Sequence, residues 1–191
     1  NWLYRKRVVI DAAKVPNTDQ ANFPVLINTT HNDWRTVANN GHVEQDDGGD
    51  FVFTLGDGVT KLSHEIERYT AASGELVAWV KVPTVYAAVD TLFYIYYGNA
   101  AAADQFDTTG AVWSNGFETV YHLNESPADN VAGHADAAKK QPNATPKNFS
   151  DGGGGSTNAA GQIAGADHLA GDDDWIDLGG ALRQAFGRGS V

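Results

Sequence analysis

Glu65 and Glu67 are the residues of this chain whose types and spacing come nearest to chemistry. Two positions apart on an alternating strand, they fall on one face, about 7 Å from each other by the strand rise. Two carboxylates so placed can act as the acid and base of a glycoside hydrolase, and a solvated strand face accounts for the same pair. The surrounding run His64-Glu65-Ile66-Glu67-Arg68 approaches the zinc-protease signature, but Arg68 stands where a second histidine is required. A strand would in any case not bring residues four apart onto one metal.

Carboxylates gather at two further places. Asp46, Asp47 and Asp50 surround Gly48-Gly49, and Asp172, Asp173 and Asp174 lie shortly before Asp177. Hard oxygen ligands on a glycine-flexed loop suit calcium, so these six residues are the candidate metal ligands. Neither run has EF-hand spacing, and Asp-Gly clusters also form turns. His31, His42, His122, His134 and His168 are scattered singly, without ligand spacing, which favours loop solvation or a satisfied core position. Among the aromatic residues, Trp34 and Trp175 sit near loops and are the candidate ligand-binding rings, because a flat ring at a sandwich rim can stack on a sugar. Trp79, Tyr94 and Tyr96 are expected in the core, since both alternating faces of Leu92–Tyr97 are apolar.

Composition narrows the partners. The 191 residues carry 24 acidic and 13 basic side chains, a net charge of -11, and the one basic cluster is Arg5-Lys6-Arg7. Phosphate binding needs clustered cations, so a nucleic-acid partner is not expected, and the cluster reads as a solvated face or a set of local ion pairs. With neither Cys nor Met, disulfides, thiol catalysis and thiolate metal sites are excluded. No apolar stretch approaches the roughly 18 residues that span a bilayer. The start at Asn1-Trp2 suggests a mature, processed or excised polypeptide. Glycosylation sequons occur at Asn28, Asn124, Asn143 and Asn148.

The elements that must position these residues are strands. Glu75–Pro83 and Thr91–Asn99 are β-branched and aromatic runs bounded by Ser73-Gly74, Pro83 and Gly98-Asn99. Trp2–Ile10 and Phe23–Ile27 read as two earlier strands, and Phe51–Leu55, Gly56-Asp57-Gly58 and Val59–Tyr69 read as a hairpin. Asp33–Ala38 is expected as a short helix stopped by Asn39-Asn40-Gly41. Such short strands at turn-punctuated spacing predict an all-β chain, an antiparallel β-sandwich or jelly roll. Composition shifts after Asn99, which places a linker at residues 100–112; strand character resumes at Trp113, and 126–161 reads as a long polar loop.

Several ordered stretches carry a family resemblance. Trp2 with Arg5 and Ile10, Phe23-Pro24-Val25-Leu26, Glu65-Ile66-Glu67, Trp79-Val80-Lys81-Val82-Pro83 and Tyr96-Tyr97-Gly98-Asn99 together resemble the domain of unknown function numbered 2341 over residues 1–99. That domain occurs in secreted and surface proteins of bacteria and archaea. Residues 113–191 are similar to the start of a laminin-G-like, concanavalin-A-like module in Tyr121-His122-Leu123-Asn124-Glu125 and in Gly161–Ala166 leading to Gly171–Leu178. They depart from it at His168-Leu169-Ala170 and in length. The resemblance implies a partial second sandwich, completed by a longer protein, a neighbouring chain or the first domain, because open strand edges need partners.

The expected function is therefore extracellular: a non-enzymatic adhesion module of a bacterial or archaeal surface that recognises a glycan or a surface protein. The alternative is a structural subunit of a surface filament or layer, self-associating through sheet edges by strand complementation. An extracellular glycosidase using Glu65 and Glu67 ranks last.

Overall fold

The computed structural model describes residues 1–150, 155–171 and 173–179. The chain forms two compact units, residues 1–115 and 116–191. Among the described residues there are eleven strands, all paired antiparallel, and no α-helix. An all-β sandwich is what the spacing of apolar runs and turns predicts.

The first unit contains β1 (Tyr4–Ile10), β2 (Gln20–Thr30), β3 (Val52–Leu55), β4 (Lys61–Leu62), β5 (His64–Thr70), β6 (Glu75–Val85) and β7 (Thr91–Tyr97). One sheet has the order β1-β7-β3-β4 and the other β2-β6-β5. Their inner faces share a core of Phe51, Phe53, Phe93, Ile95 and Tyr97 from the first and Leu76, Ala78, Val80, Val82 and Val85 from the second. Alternation with a period of two directs these side chains inward. In β7 the residues Thr91, Phe93, Ile95 and Tyr97 are buried, while Leu92, Tyr94 and Tyr96 are half-buried on the outer face. Tyr94 and Tyr96 are thus not core residues as expected, and Trp79 is also half-buried on an outer face. An aromatic ring with a polar edge satisfies a run of apolar character without being enclosed.

Two local expectations resolve differently in space. The segment expected as one hairpin arm divides at Ser63: Leu62 pairs with Phe53 in the first sheet, and His64 pairs with Val80 in the second. The strand therefore crosses the sandwich. In place of a helix at 33–38, two 3-10 turns occur, Asn32–Trp34 and Val37–Asn39, and the left-handed conformation at Asn40 (φ 63°) ends the second. The segment 100–112, expected as a linker, runs along the first unit. Gln105 N donates to Gly49 O (2.9 Å), Asp107 N to His64 O (2.6 Å) and Gln45 Nε2 to Ala102 O (2.7 Å).

In the second unit β8 (Thr145–Lys147) pairs with β11 (Trp175–Asp177), and β9 (Ser156–Ala160) pairs with β10 (Gly165–His168). Much of the expected polar loop is organised by buried Asp136. Its carboxylate accepts the backbone N–H groups of Val120 (2.8 Å), Ala138 (3.1 Å), Lys140 (2.8 Å) and Gln141 (2.8 Å). Burial alone would raise its pKa, but the N–H groups of Val120, Gln141 and Lys140 outweigh it and hold the group below the usual carboxylate range.

His64 sets a pH limit on the first unit. Its ring is 1% exposed and packs 4.9 Å from that of Phe53. Burial lowers its pKa from 6.5 to about 4. A base whose folded pKa is depressed contributes full stability above 6.5 and loses it as pH falls toward 4, because the unfolded chain takes up the proton first. Urea unfolding should lose about 3 kcal/mol across that interval, and the His64→Leu variant should lose markedly less.

Candidate functional site

Glu65 and Glu67 lie on the outer face of the β2-β6-β5 sheet, where each is taken by an indole. Trp113 Nε1 donates to Glu65 Oε2 (2.6 Å) and Trp79 Nε1 to Glu67 Oε2 (2.7 Å), with the two rings 5.2 Å apart. A bulge between Ile66 and Arg68 leaves Glu67 out of the ladder register. Glu65 fastens the 3-10 turn Ala111–Trp113 over the sheet, and Glu67 holds Trp79 of β6. They organise structure at this face.

The acidic runs are also occupied. Asp50 is fully buried, and its Oδ2 accepts the N–H groups of Gly98 (2.8 Å), Asn99 (3.1 Å) and Glu44 (3.2 Å). Asp47 Oδ1 accepts Gly49 N–H (2.9 Å) in its own turn. Asp50 Oδ1 makes no hydrogen bond, and no group of three His, Cys, Asp or Glu side chains among the described residues is placed to hold a metal ion. In the other run, Asp173 accepts from Asn148 Nδ2 (3.0 Å) and Asp174 from Ala170 N–H (2.6 Å); Asp172 lies outside the described residues. These carboxylates close loops, because an aspartate is short enough to reach nearby backbone donors.

Of the two candidate rings, Trp34 is 4% exposed and packs edge-on against Phe51, so it cannot meet a ligand from solvent. Its apolar bulk fills the core at the end of a 3-10 turn. Trp175 is 49% exposed on β11. His134 is a solitary histidine in the sequence but a paired one in space. Fully buried, it lies between Glu125 Oε2 (3.2 Å from Nδ1) and Asp167 Oδ2 (2.9 Å from Nε2). Burial raises the Asp167 pKa, and His134 draws it back only in part.

The outer face of the β1-β7-β3-β4 sheet has a different character. Register places Arg5 opposite Tyr96 and Arg7 opposite Tyr94 on one side of β7, and Val52 and Thr54 opposite the same tyrosines on the other. Next to them is an open groove of about 450 Å³, lined by Asn1, Trp2, Val52, Thr54, Gly58, Val59, Lys61 and Tyr96. Trp2 is anchored by its Nε1, which donates to Asp50 O (2.7 Å). Arg5 donates to Tyr96 Oη (3.3 Å) and lies 4.8 Å over the Tyr94 ring. Lys61 donates to Gln105 Oε1, and its ammonium is 5.7 Å from the Trp2 ring. Gly58, in the left-handed region at φ 72°, leaves room for the Tyr96 hydroxyl, which would lie 2.9 Å from an added Cβ. The sequence signal for this site was the alternation of β1, which sends Arg5 and Arg7 to the same side as Tyr94 and Tyr96.

Fold and groove together define an antiparallel β-sandwich unit with an aromatic, cation-bearing outer face. Residues 47–134 match the model of a family described as a domain of unknown function (DUF2341). The match takes in β3 to β7 and extends past Asn99 to His134, whereas Trp2 and Arg5 precede it. No curated protein and no solved structure shows a significant match to the chain.

Removing the Asp50 carboxylate should be costly. Asp50→Ala would leave three backbone donors without their acceptor and lower stability by about 3 kcal/mol in urea unfolding. The loss should be the same with calcium or with a chelator. A calcium-dependent rise in the midpoint of the unmodified chain would reinstate an ion at this loop.

Proposed function

We propose that the chain is an extracellular, non-catalytic recognition module of a bacterial or archaeal cell surface that binds a glycan in the groove beside Tyr96. The observation that carries this reading is the convergence of the Trp2 and Tyr96 rings, the Tyr96 hydroxyl, Thr54 and Lys61 on one open groove. Sugars offer apolar ring faces and polar rims together, and rings flanked by hydroxyl and ammonium groups complement both. The engagement of Glu65 and Glu67 by indoles favours a non-catalytic role. The likeness to a domain of secreted and surface proteins supports the location. The second unit is read here as the opening of a laminin-G-like, concanavalin-A-like companion module.

A second reading, a filament or layer subunit, has one observation in its favour. The edge strand β2 leaves Phe23 45% exposed beside an apolar groove of about 260 Å³ that includes Ile10, Val15, Val25 and Val85. Pro24 opposes it, since a proline within that edge cannot donate to an added strand. Sedimentation of the purified chain separates the two readings, for polymers or fibres would favour assembly.

On a glycan array the unmodified chain should bind a restricted set of sugars, and Tyr96→Ala should weaken that binding about tenfold through loss of a stacking ring. Absence of binding to every glycan would overturn the recognition reading. Hydrolysis of any of them that is lost in Glu65→Gln would overturn its non-catalytic part.

A further inference from the structure

We infer that the ligand of this groove carries a carboxylate, as a hexuronate unit within a glycan, an inference that rests on the glycan reading above. The chain has 24 acidic and only 13 basic side chains. Yet Arg5, Arg7 and Lys61 all project from the outer face around Tyr94 and Tyr96. Lys6, between the two arginines, takes the other side and is neutralised by Asp33 at 2.8 Å.

The three outward cations are treated differently. Among the described residues no carboxylate lies within ion-pair distance of any of them. The partners they do have are neutral: the Tyr96 hydroxyl and Tyr94 ring for Arg5, and the Gln105 amide and Trp2 ring for Lys61. Asp57, on the turn beside Gly58, spends its carboxylate on Thr60 Oγ1 (2.5 Å) and on the N–H groups of Val59 (2.9 Å) and Thr60 (2.9 Å). Aromatic and amide contacts orient a cation without cancelling its charge, so the positive charge at the groove is left for an incoming anion. Tyr96 adds a donor. Its oxygen accepts from Arg5, which leaves its own proton for a ligand oxygen.

Size and charge favour a single acidic sugar over a long polyanion. A net charge of -11 repels an extended polyanion. One carboxylate held by the Lys61 ammonium in the groove, with its ring against Tyr96 or Trp2 and the Arg5 guanidinium beside Tyr96 adding to the positive field, avoids that penalty.

Calorimetric titration of the full chain with trigalacturonate and with its methyl ester tests the inference, since esterification removes the charge and keeps the sugar. Trigalacturonate should bind, the ester at least tenfold more weakly, and raising sodium chloride from about 0.05 to about 0.5 M should weaken the acid form. Arg5→Gln and Lys61→Gln should each weaken binding about tenfold, whereas the charge-matched Lys139→Gln in the second unit should not. Circular dichroism and melting check that each variant is folded. Tyr96→Phe, which removes only the hydroxyl, should reduce affinity several-fold and covers the case of an unfolded charge variant. Equal binding of acid and ester overturns the acidic-sugar inference and leaves the glycan reading standing. No binding of trigalacturonate also overturns the inference, and the glycan array then judges the broader reading separately. Hexaglutamate or oligothymidylate binding as tightly as trigalacturonate would assign the face to an acidic peptide or a single-stranded nucleic acid and overturn both.

Discussion

The alternation of side chains along β7 is the constraint on which the first unit depends. Its pairing with both β1 and β3 fixes register on two sides, so Phe93, Ile95 and Tyr97 must face the core and Tyr94 and Tyr96 must face out. A slip of one residue would exchange the two sets and open both core and groove at once. Burial of the inner rings therefore secures the placement of the outer ones. The buried core and the aromatic outer face are two consequences of one register.

Carboxylates and cations divide the remaining work. Asp50, Asp107, Asp129 and Asp136 each accept backbone N–H groups from loop segments that have no sheet partner. Every such bond satisfies a donor that burial would otherwise leave costly, and an ionised acceptor makes it stronger than a neutral one. The acidic excess of the chain thus serves loop closure. Cations on the outer face of the first sheet are braced instead by aromatic and amide groups, which keeps their charge available.

Much of the fold was legible because it rests on short-range pattern. The β6 and β7 runs, the positive φ of Asn40 and the β3–β4 turn follow from residue types whose preferences are local. The crossing at Ser63 was not, since Leu62 and His64 keep the same inward alternation while belonging to different sheets. Nor was the integration of residues 100–112, which depends on long-range bonds from Gln105 and Asp107 that composition does not register. Trp34 and the Asp46–Asp50 run were read as site residues from loop-like surroundings, yet a ring or a carboxylate at a loop can equally turn inward. The groove itself brings Trp2, Lys61 and Tyr96 together from three distant parts of the chain, so only β1 alternation hinted at it.

The two outer faces of the sandwich show why charge alone does not identify a site. Both combine aromatic rings with ionised groups. On the β2-β6-β5 sheet, however, Trp113 reaches over from a 3-10 turn, and each indole N–H finds a carboxylate, so rings and charges satisfy one another. On the β1-β7-β3-β4 sheet the aromatic partners of Arg5 and Lys61 have no counter-charge to give, and the groove of about 450 Å³ beside them is open. The first arrangement is complete within the protein. The second leaves rings and cations facing an open groove, and the proposed recognition at Tyr96, in place of chemistry at Glu65 and Glu67, rests on that difference.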